Sequence, residues 1–307
     1  MRPPASEYGL LYLPDSQNIA ACLKYPGVSY SDAFFGAVFM FWINNIRFDI
    51  LRFPEELKNY GIIYCPMPWM LNKDMLNAVK QYVRAGGVFI SDGGFARYTE
   101  DGWLSPRIPG GGLADELGAR ETDFAVQERT VIKTKKGLLF GAQERGWMKN
   151  ERGRTLGSFG NNKPAIVKTG YGKGYFILMG TSISAYLYRT GDVKSAGRCT
   201  DFFGFKPMVE ISPAGNITAS IQNAENSKIL FIFNNSDKKS DAKITLPFPL
   251  KNPEIIAGGN LLKTISGKTL AVSLVSKGIL VIKINLGNHR HPDNHGLRQA
   301  GRRKSGS

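Results

Sequence analysis

The residues best placed for chemistry are Ser91 and Asp92, which with Gly93 and Gly94 close the run Gly86-Gly87-Val88-Phe89-Ile90. A short apolar strand ending in a tight glycine turn is where open α/β sheets present nucleophiles and ligand-binding groups. A nucleophile at such a turn needs a Cys or Ser at the tip and a His to take its proton. The turn offers Ser91 and no Cys, and all three histidines, His289, His291 and His295, lie in the C-terminal tail. The first 286 residues therefore supply no imidazole as general base and none of the commonest zinc ligand. No cofactor and no functional metal are expected. Asp92, at the strand end, is the strongest acid–base candidate, although an Asp before two glycines is also a residue type that bonds its own turn backbone.

Other groups carry weaker signals. Glu55/Glu56 and Glu100/Asp101 are adjacent carboxylates in loop-like stretches, where neighbouring side chains diverge. A pair working across a sugar ring needs a separation of about 5 to 9.5 Å on rigid strand ends, so these read as solvated loops. Pro109-Gly110-Gly111-Gly112 has no following Gly-Lys-Ser/Thr and opens no long helix, which removes a phosphate cradle. Cys22, Cys65 and Cys199 fit no ligand or disulfide spacing and read as small buried hydrophobes.

The elements that position the turn follow from apolar patterning. Strands are expected at Gly9 to Leu13, Arg47 to Leu51, Gly61 to Cys65 and Val88 to Ser91. A loop is expected from Pro14 to Ser31, then a helix capped by Ser31 and Asp32 and running through Phe34, Val38, Trp42 and Ile43. Its apolar surface suits packing between sheet and helix, or a meeting with another domain or subunit. Asn72 caps a second helix, Lys73 to Arg84, which stops at Gly86. This alternation argues for a parallel sheet with helices on its faces. A short helix is expected at Leu113 to Leu117. Residues 122–168 read as a β-rich insertion of short alternating segments, followed by a hairpin around Gly170 to Gly174 and a last helix over Thr181 to Tyr188. After a boundary at Gly204 to Pro213, five short strands (217–221, 229–233, 243–246, 270–274 and 279–284) predict a small antiparallel sandwich.

The net charge is +15. Residues 287–307 contribute +4 of it, leaving +11 spread over the other 286 residues. No RNA-recognition motif, zinc knuckle or recognition-helix pattern accompanies that charge, so nucleic acid is not the expected partner and a solvated basic surface is. The longest apolar run, Ala33 to Ile43, falls short of the ~20 residues that span a bilayer. No membrane association is expected, and the N-terminal residues carry no signal-peptide pattern. A cytoplasmic location fits, and the tail from Gly287 is expected to be disordered and basic.

The order of Leu10-Leu11-Tyr12, Tyr60-Gly61-Ile62-Ile63-Tyr64-Cys65-Pro66, the run Val79 to Ile90, Pro109 to Ala119 and Gly170-Tyr171-Gly172-Lys173-Gly174 resembles the β-galactosidase trimerisation domain of glycoside hydrolase family 42. The later β-region is similar to the small domain that follows it. The resemblance implies an α/β fold of the class I glutamine amidotransferase-like (flavodoxin-like) kind with a β-rich insertion over residues 6–208, a small β-sandwich over 209–286, and a basic tail over 287–307. It implies a non-catalytic oligomerisation or accessory module, self-associating as a trimer or pairing with a separate catalytic barrel, and helping to wall a carbohydrate site. The family's barrel and its two catalytic carboxylates fall outside these residues. Where amidotransferases carry a Cys assisted by His, this chain has Ser91-Asp92-Gly93-Gly94. Arg97, Tyr98 and Trp103 are the candidate exposed contacts to a sugar, with packing of Trp103 as the plainer reading. Two alternatives stand beside this one: an independent hydrolase or amidase using Ser91 or Asp92, and a basic nucleic-acid-binding protein.

Overall fold

In the computed structural model, which describes residues 1, 3–160, 162–213, 215–258 and 260–285, the fold starts from a buried strand, β1 (Tyr8–Leu11). Its four residues are all apolar or glycine, and all four are buried. Pro14 then opens a helix, α1 (Pro14–Leu23), where a loop was expected. Proline suits the first helical turn, where its missing N–H costs nothing. The next helix, α2 (Tyr30–Ile43), is capped by Ser29, which accepts from the Asp32 amide, and so begins before the expected Ser31. A three-residue strand, β2 (Asp49–Leu51), a 3-10 turn over Pro54–Asn59 and β3 (Ile62–Cys65) follow. Asn72 caps α3 (Lys73–Ala85) through the Met75 amide, and Gly86 stops it at φ 125° before β4 (Val88–Ser91).

Beyond a short helix, α4 (Leu113–Leu117), two long strands form a hairpin: β5 (Ala119–Thr134) and β6 (Gly137–Asn150). They replace the short segments expected here. Bulges between Glu121 and Asp123 and between Gln127 and Thr130 break the two-residue alternation, so one continuous strand reads as several. Next come β7 (Arg154–Ser158), β8 (Pro164–Tyr171) and β9 (Gly174–Met179), the last two joined by the expected glycine turn. Two helices follow, α5 (Ile183–Thr190) and α6 (Val193–Phe203); only the first was anticipated.

These strands form one mixed sheet in the order β2-β1-β3-β4-β9-β8-β7-β5-β6. The run from β2 to β9 is parallel, and from β9 onward each neighbour is antiparallel. The second helix packs along α5 and also meets α6. Gly36 permits that contact, since a Cβ there would lie 1.8 Å from the Ser184 carbonyl oxygen. The same helix leaves Phe35 and Trp42 about half exposed. The remaining strands are β10 (Glu210–Ser212), β11 (Ile217–Ala224), β12 (Ser227–Asn234), β13 (Ser240–Thr245), β14 (Pro253–Gly258), β15 (Asn260–Ser266), β16 (Thr269–Leu274) and β17 (Ile279–Asn285). They form two four-stranded antiparallel sheets, β10-β13-β16-β15 and β11-β12-β17-β14, around a shared apolar interior. Of these eight, β10, β14 and β15 were not anticipated.

Two hydrophobic cores result. The larger ends at Phe205 and the smaller begins at Val209. Asn45 joins them: its carbonyl accepts from Met208 N (2.8 Å) and its side-chain oxygen from Ala219 N (2.7 Å). Cys65 and Cys199 are buried as expected, whereas Cys22, on α1, is exposed. No helix among the described residues is long and apolar enough to cross a membrane. The histidines, and every expectation about residues 287–307, lie outside the described residues.

Candidate functional site

The turn after β4 is bonded on both sides to neighbouring strand ends. Asp92 N donates to Cys65 O (3.1 Å) at the end of β3, and Gly93 N to Thr181 O (3.3 Å) just beyond β9. Three hydroxyls converge on the Asp92 carboxylate. Tyr64 Oη donates to Oδ1 at 2.8 Å, while Ser182 Oγ and Ser184 Oγ donate to Oδ2 at 2.8 and 2.7 Å. Burial nevertheless dominates: with the side chain cut off from water, the carboxyl is pushed up to about 6, against the pull of these three donors and with Glu144 nearby adding to the rise. The same burial, with Asp92 alongside, drives the Tyr64 hydroxyl well above its ordinary range. Ser91 Oγ does not face a proton acceptor of the kind a nucleophile requires; it donates to the Asp92 carbonyl at 2.7 Å.

Next to this cradle sits a buried ionic cluster. Arg97 Nη2 reaches Glu144 Oε2 at 2.7 Å and Glu121 Oε2 at 3.1 Å, with all three side chains no more than 5% exposed. The guanidinium lies against two rings set edge to face, 4.8 Å from the Trp69 centroid and 4.1 Å from that of Phe124. Glu121 also accepts from Gly94 N at 2.6 Å. Burial raises the Glu121 pKa, with Arg97 opposing and Glu144 adding to the rise. Glu121 belongs to β5 and Glu144 to β6, so Arg97 ties the long hairpin to the glycine turn. Backbone bonds finish the closure: Ala142 N to Ser182 O (2.9 Å) and Gly146 N to Gly180 O (2.6 Å).

The two glycines of the turn are explained by this packing. A Cβ on Gly93 would lie 2.5 Å from Glu144 Oε1, and one on Gly94, at φ +77°, 2.7 Å from the Trp69 ring. The site thus fills the crevice at the C-terminal ends of β3, β4 and β9 with the chain's own side chains. Ser91 is 0% and Asp92 1% exposed. The arrangement can hold a proton near neutrality, but it presents neither group to a substrate.

Arg97 and Tyr98, expected as surface contacts, are both buried, because Arg97 is drawn in by two carboxylates and Tyr98 N bonds back to Trp69 O. Trp103 is 74% exposed, which corrects the reading that it packs inside. The sequence reading missed Tyr64, Ser182, Ser184, Glu121 and Glu144. The one available signal was Glu144 itself, a charge following the uncharged run Gly137 to Gln143. Among the described residues no group of three His, Cys, Asp or Glu side chains is arranged to hold a metal ion.

The architecture is a mixed α/β sheet, closed over its strand ends by a β-hairpin and followed by a β-sandwich. The model of the β-galactosidase trimerisation domain matches residues 31–190, more than half of the chain, and the chain belongs to that family. No curated protein sequence matches it. Among solved structures, a catalytic mutant of Gan42B, a GH42 β-galactosidase from G. stearothermophilus, superposes with a TM-score of 0.72 at 14% identity, covering 92% of this chain and 41% of that one. The β-galactosidase from Rahnella sp. R3 gives 0.71 at 14% identity, with 92% and 41% coverage. The α-L-fucosidase isoenzyme 2 from Paenibacillus thiaminolyticus gives 0.59 at 14% identity, with 92% and 49% coverage. At such identities the likeness is one of fold. The chain spans about two fifths of the length of the two β-galactosidases.

Proposed function

We propose that this chain is a non-catalytic oligomerisation and accessory module of a β-galactosidase-like glycoside hydrolase. It self-associates, as a trimer by family, or associates with a separately encoded catalytic barrel. The observation that carries the reading is the filled crevice: a member of the trimerisation family has Ser91 and Asp92 at 0% and 1% exposure beneath its own hairpin. That burial also weighs against an independent hydrolase or amidase working from the turn. The parallel strand order β2-β1-β3-β4-β9 supports a flavodoxin-like, amidotransferase-related ancestry for residues 6–208, with 209–286 as a separate sandwich and 287–307 as a basic tail. Trp103 is the residue we assign to walling a sugar site. It is 74% exposed, and its backbone bonds to Thr99, which with Glu100 and Asp101 lines a recess of about 210 Å³. Ring stacking on a sugar face, with carboxylates accepting from hydroxyls, is the chemistry it offers.

Light scattering over a wide concentration range tests the assembly. A trimer, or a stable complex with a co-expressed barrel, is the expected result; a strict monomer that captures no barrel overturns the reading. Trp103→Ala should leave the mass unchanged while weakening sugar affinity of the assembled enzyme.

A further inference from the structure

The filled crevice holds three acids and one base. Asp92, Arg97, Glu121 and Glu144 meet there with side chains no more than 5% exposed. Arg97 spends its contacts on the two glutamates, and among the described residues Asp92 forms no ion pair. The titratable groups that face Asp92 are Tyr64 and Cys65 of β3, Cys199 of α6 and Glu144 of β6, with the Ser182 and Ser184 hydroxyls from the start of α5. No cation is among them. An ionised Asp92 would therefore be a buried charge held by hydroxyls alone, with a second carboxylate close by.

The groups that hold Asp92 also hold the hairpin. Ser182 Oγ donates to the Asp92 carboxylate, while the Ser182 carbonyl accepts from Ala142 N of β6. The Thr181 carbonyl accepts from Gly93 N in the turn, and Thr181 Oγ1 lies 3.0 Å from Thr130 Oγ1 of β5. Glu144 rests on the turn itself, so close that a Cβ on Gly93 would lie 2.5 Å from its Oε1. The hairpin cannot lift without taking Glu144 away from Asp92 and letting water into the crevice.

We propose that the β5–β6 hairpin is an acid-closed latch, held shut while Asp92 keeps its proton and loosened when Asp92 gives that proton up. The sign follows from linkage. In the closed crevice the carboxyl is pushed up from 3.8 to about 6, chiefly by burial, and a carboxyl returned to water titrates near its ordinary value. The closed form thus binds the proton more tightly than the open form. Its advantage is complete below about pH 4 and is lost as the pH rises through about 6. Glu121, also raised by burial, works in the same direction. The latch does not rest on the assembly reading above.

Amide exchange of the full chain, followed by NMR from pH 5 to 7.5 and divided by the intrinsic rates, tests this. The opening equilibrium at the Ala142 and Gly146 amides should rise about tenfold across that range and level off above about pH 7. Asp92→Asn should remove most of the rise. Ser184→Ala takes away a donor that favours the carboxylate, so the midpoint of the rise should move to higher pH. That shift keeps the test open even where the Asn variant fails to fold, and a purely structural role for Ser184 would not produce it. Three results overturn the latch: an equal rise in Asp92→Asn, an unmoved midpoint in Ser184→Ala, or flat Ala142 and Gly146 amides while those of Ile90 and Leu178 in the central strands change. The last would mean that Asp92 meets water only when the whole sheet unfolds.

Discussion

Asp92 and Arg97 lie side by side in the same filled crevice and should respond to substitution in opposite ways. The Asp92 carboxyl is raised from 3.8 to about 6, so the native state holds that proton more tightly than the unfolded chain does. Its stabilising contribution is complete below about pH 4 and is lost as the pH rises through about 6. Asp92→Asn removes this titration while retaining partners for the three hydroxyls. Its thermal midpoint at pH 7 to 8 should match or exceed the parent's, by up to about 3 kcal/mol in stability, and the parent's decline between pH 4 and 6 should flatten in a pH series of melts. Arg97→Met strands Glu121 and Glu144 without their cation and should cost about 3–5 kcal/mol at neutral pH. Denaturant titration reads that loss, which should shrink on acidification as the Glu121 carboxyl, already raised by burial, protonates. The turn was legible in the sequence because strand and glycine signals are local. Its partners were not, since Ser182 and Ser184 reach Asp92 from 90 and 92 residues away. Nothing in a hydroxyl's immediate neighbours announces a distant carboxylate.

Two helical glycines make a controlled comparison at the level of elements. Gly36→Ala drives a methyl to within 1.8 Å of the Ser184 carbonyl oxygen and must push α5 away from α2, carrying a donor to Asp92 with it. A loss of about 2 kcal/mol or more in thermal or denaturant unfolding is expected. Gly197→Ala, in α6, meets nothing nearer than 3.5 Å and should be neutral, or gain up to about 1 kcal/mol from helix propensity. The elements with strong local punctuation were read correctly, as with α3 between its Asn72 cap and Gly86. Those that failed lacked such punctuation or had it disguised: a proline inside the first turn of α1, and two bulges inside β5. In the sandwich, β14 was missed because its residues are mostly exposed, so no buried face imposes alternation.

Across the whole molecule, Asn45 supplies two hydrogen bonds that tie one core to the other. It sits at φ 57°, a left-handed conformation that Asn tolerates better than most residues. Asn45→Ala leaves the Ala219 amide without its side-chain acceptor and should cost about 1–2 kcal/mol. In differential scanning calorimetry, the endotherm should then resolve into two components, one for each core. An unchanged single transition would contradict the view that Asn45 couples them. The hairpin over the crevice, described above for what it covers, also sets an order of events. Its Arg97–Glu144 tie spans 47 residues, and its backbone bonds to Gly180 and Ser182 join residues 34 and 40 positions apart. Gly180 and Ser182 directly follow β9, so the acceptors that these bonds need are in place only once β9 has paired with β4. The hairpin is thus the part of this unit that docks last and opens first. In native-state hydrogen exchange, the Ala142 and Gly146 amides should release their protons through a local opening, well before Phe89 and Ile177 in the central strands do so.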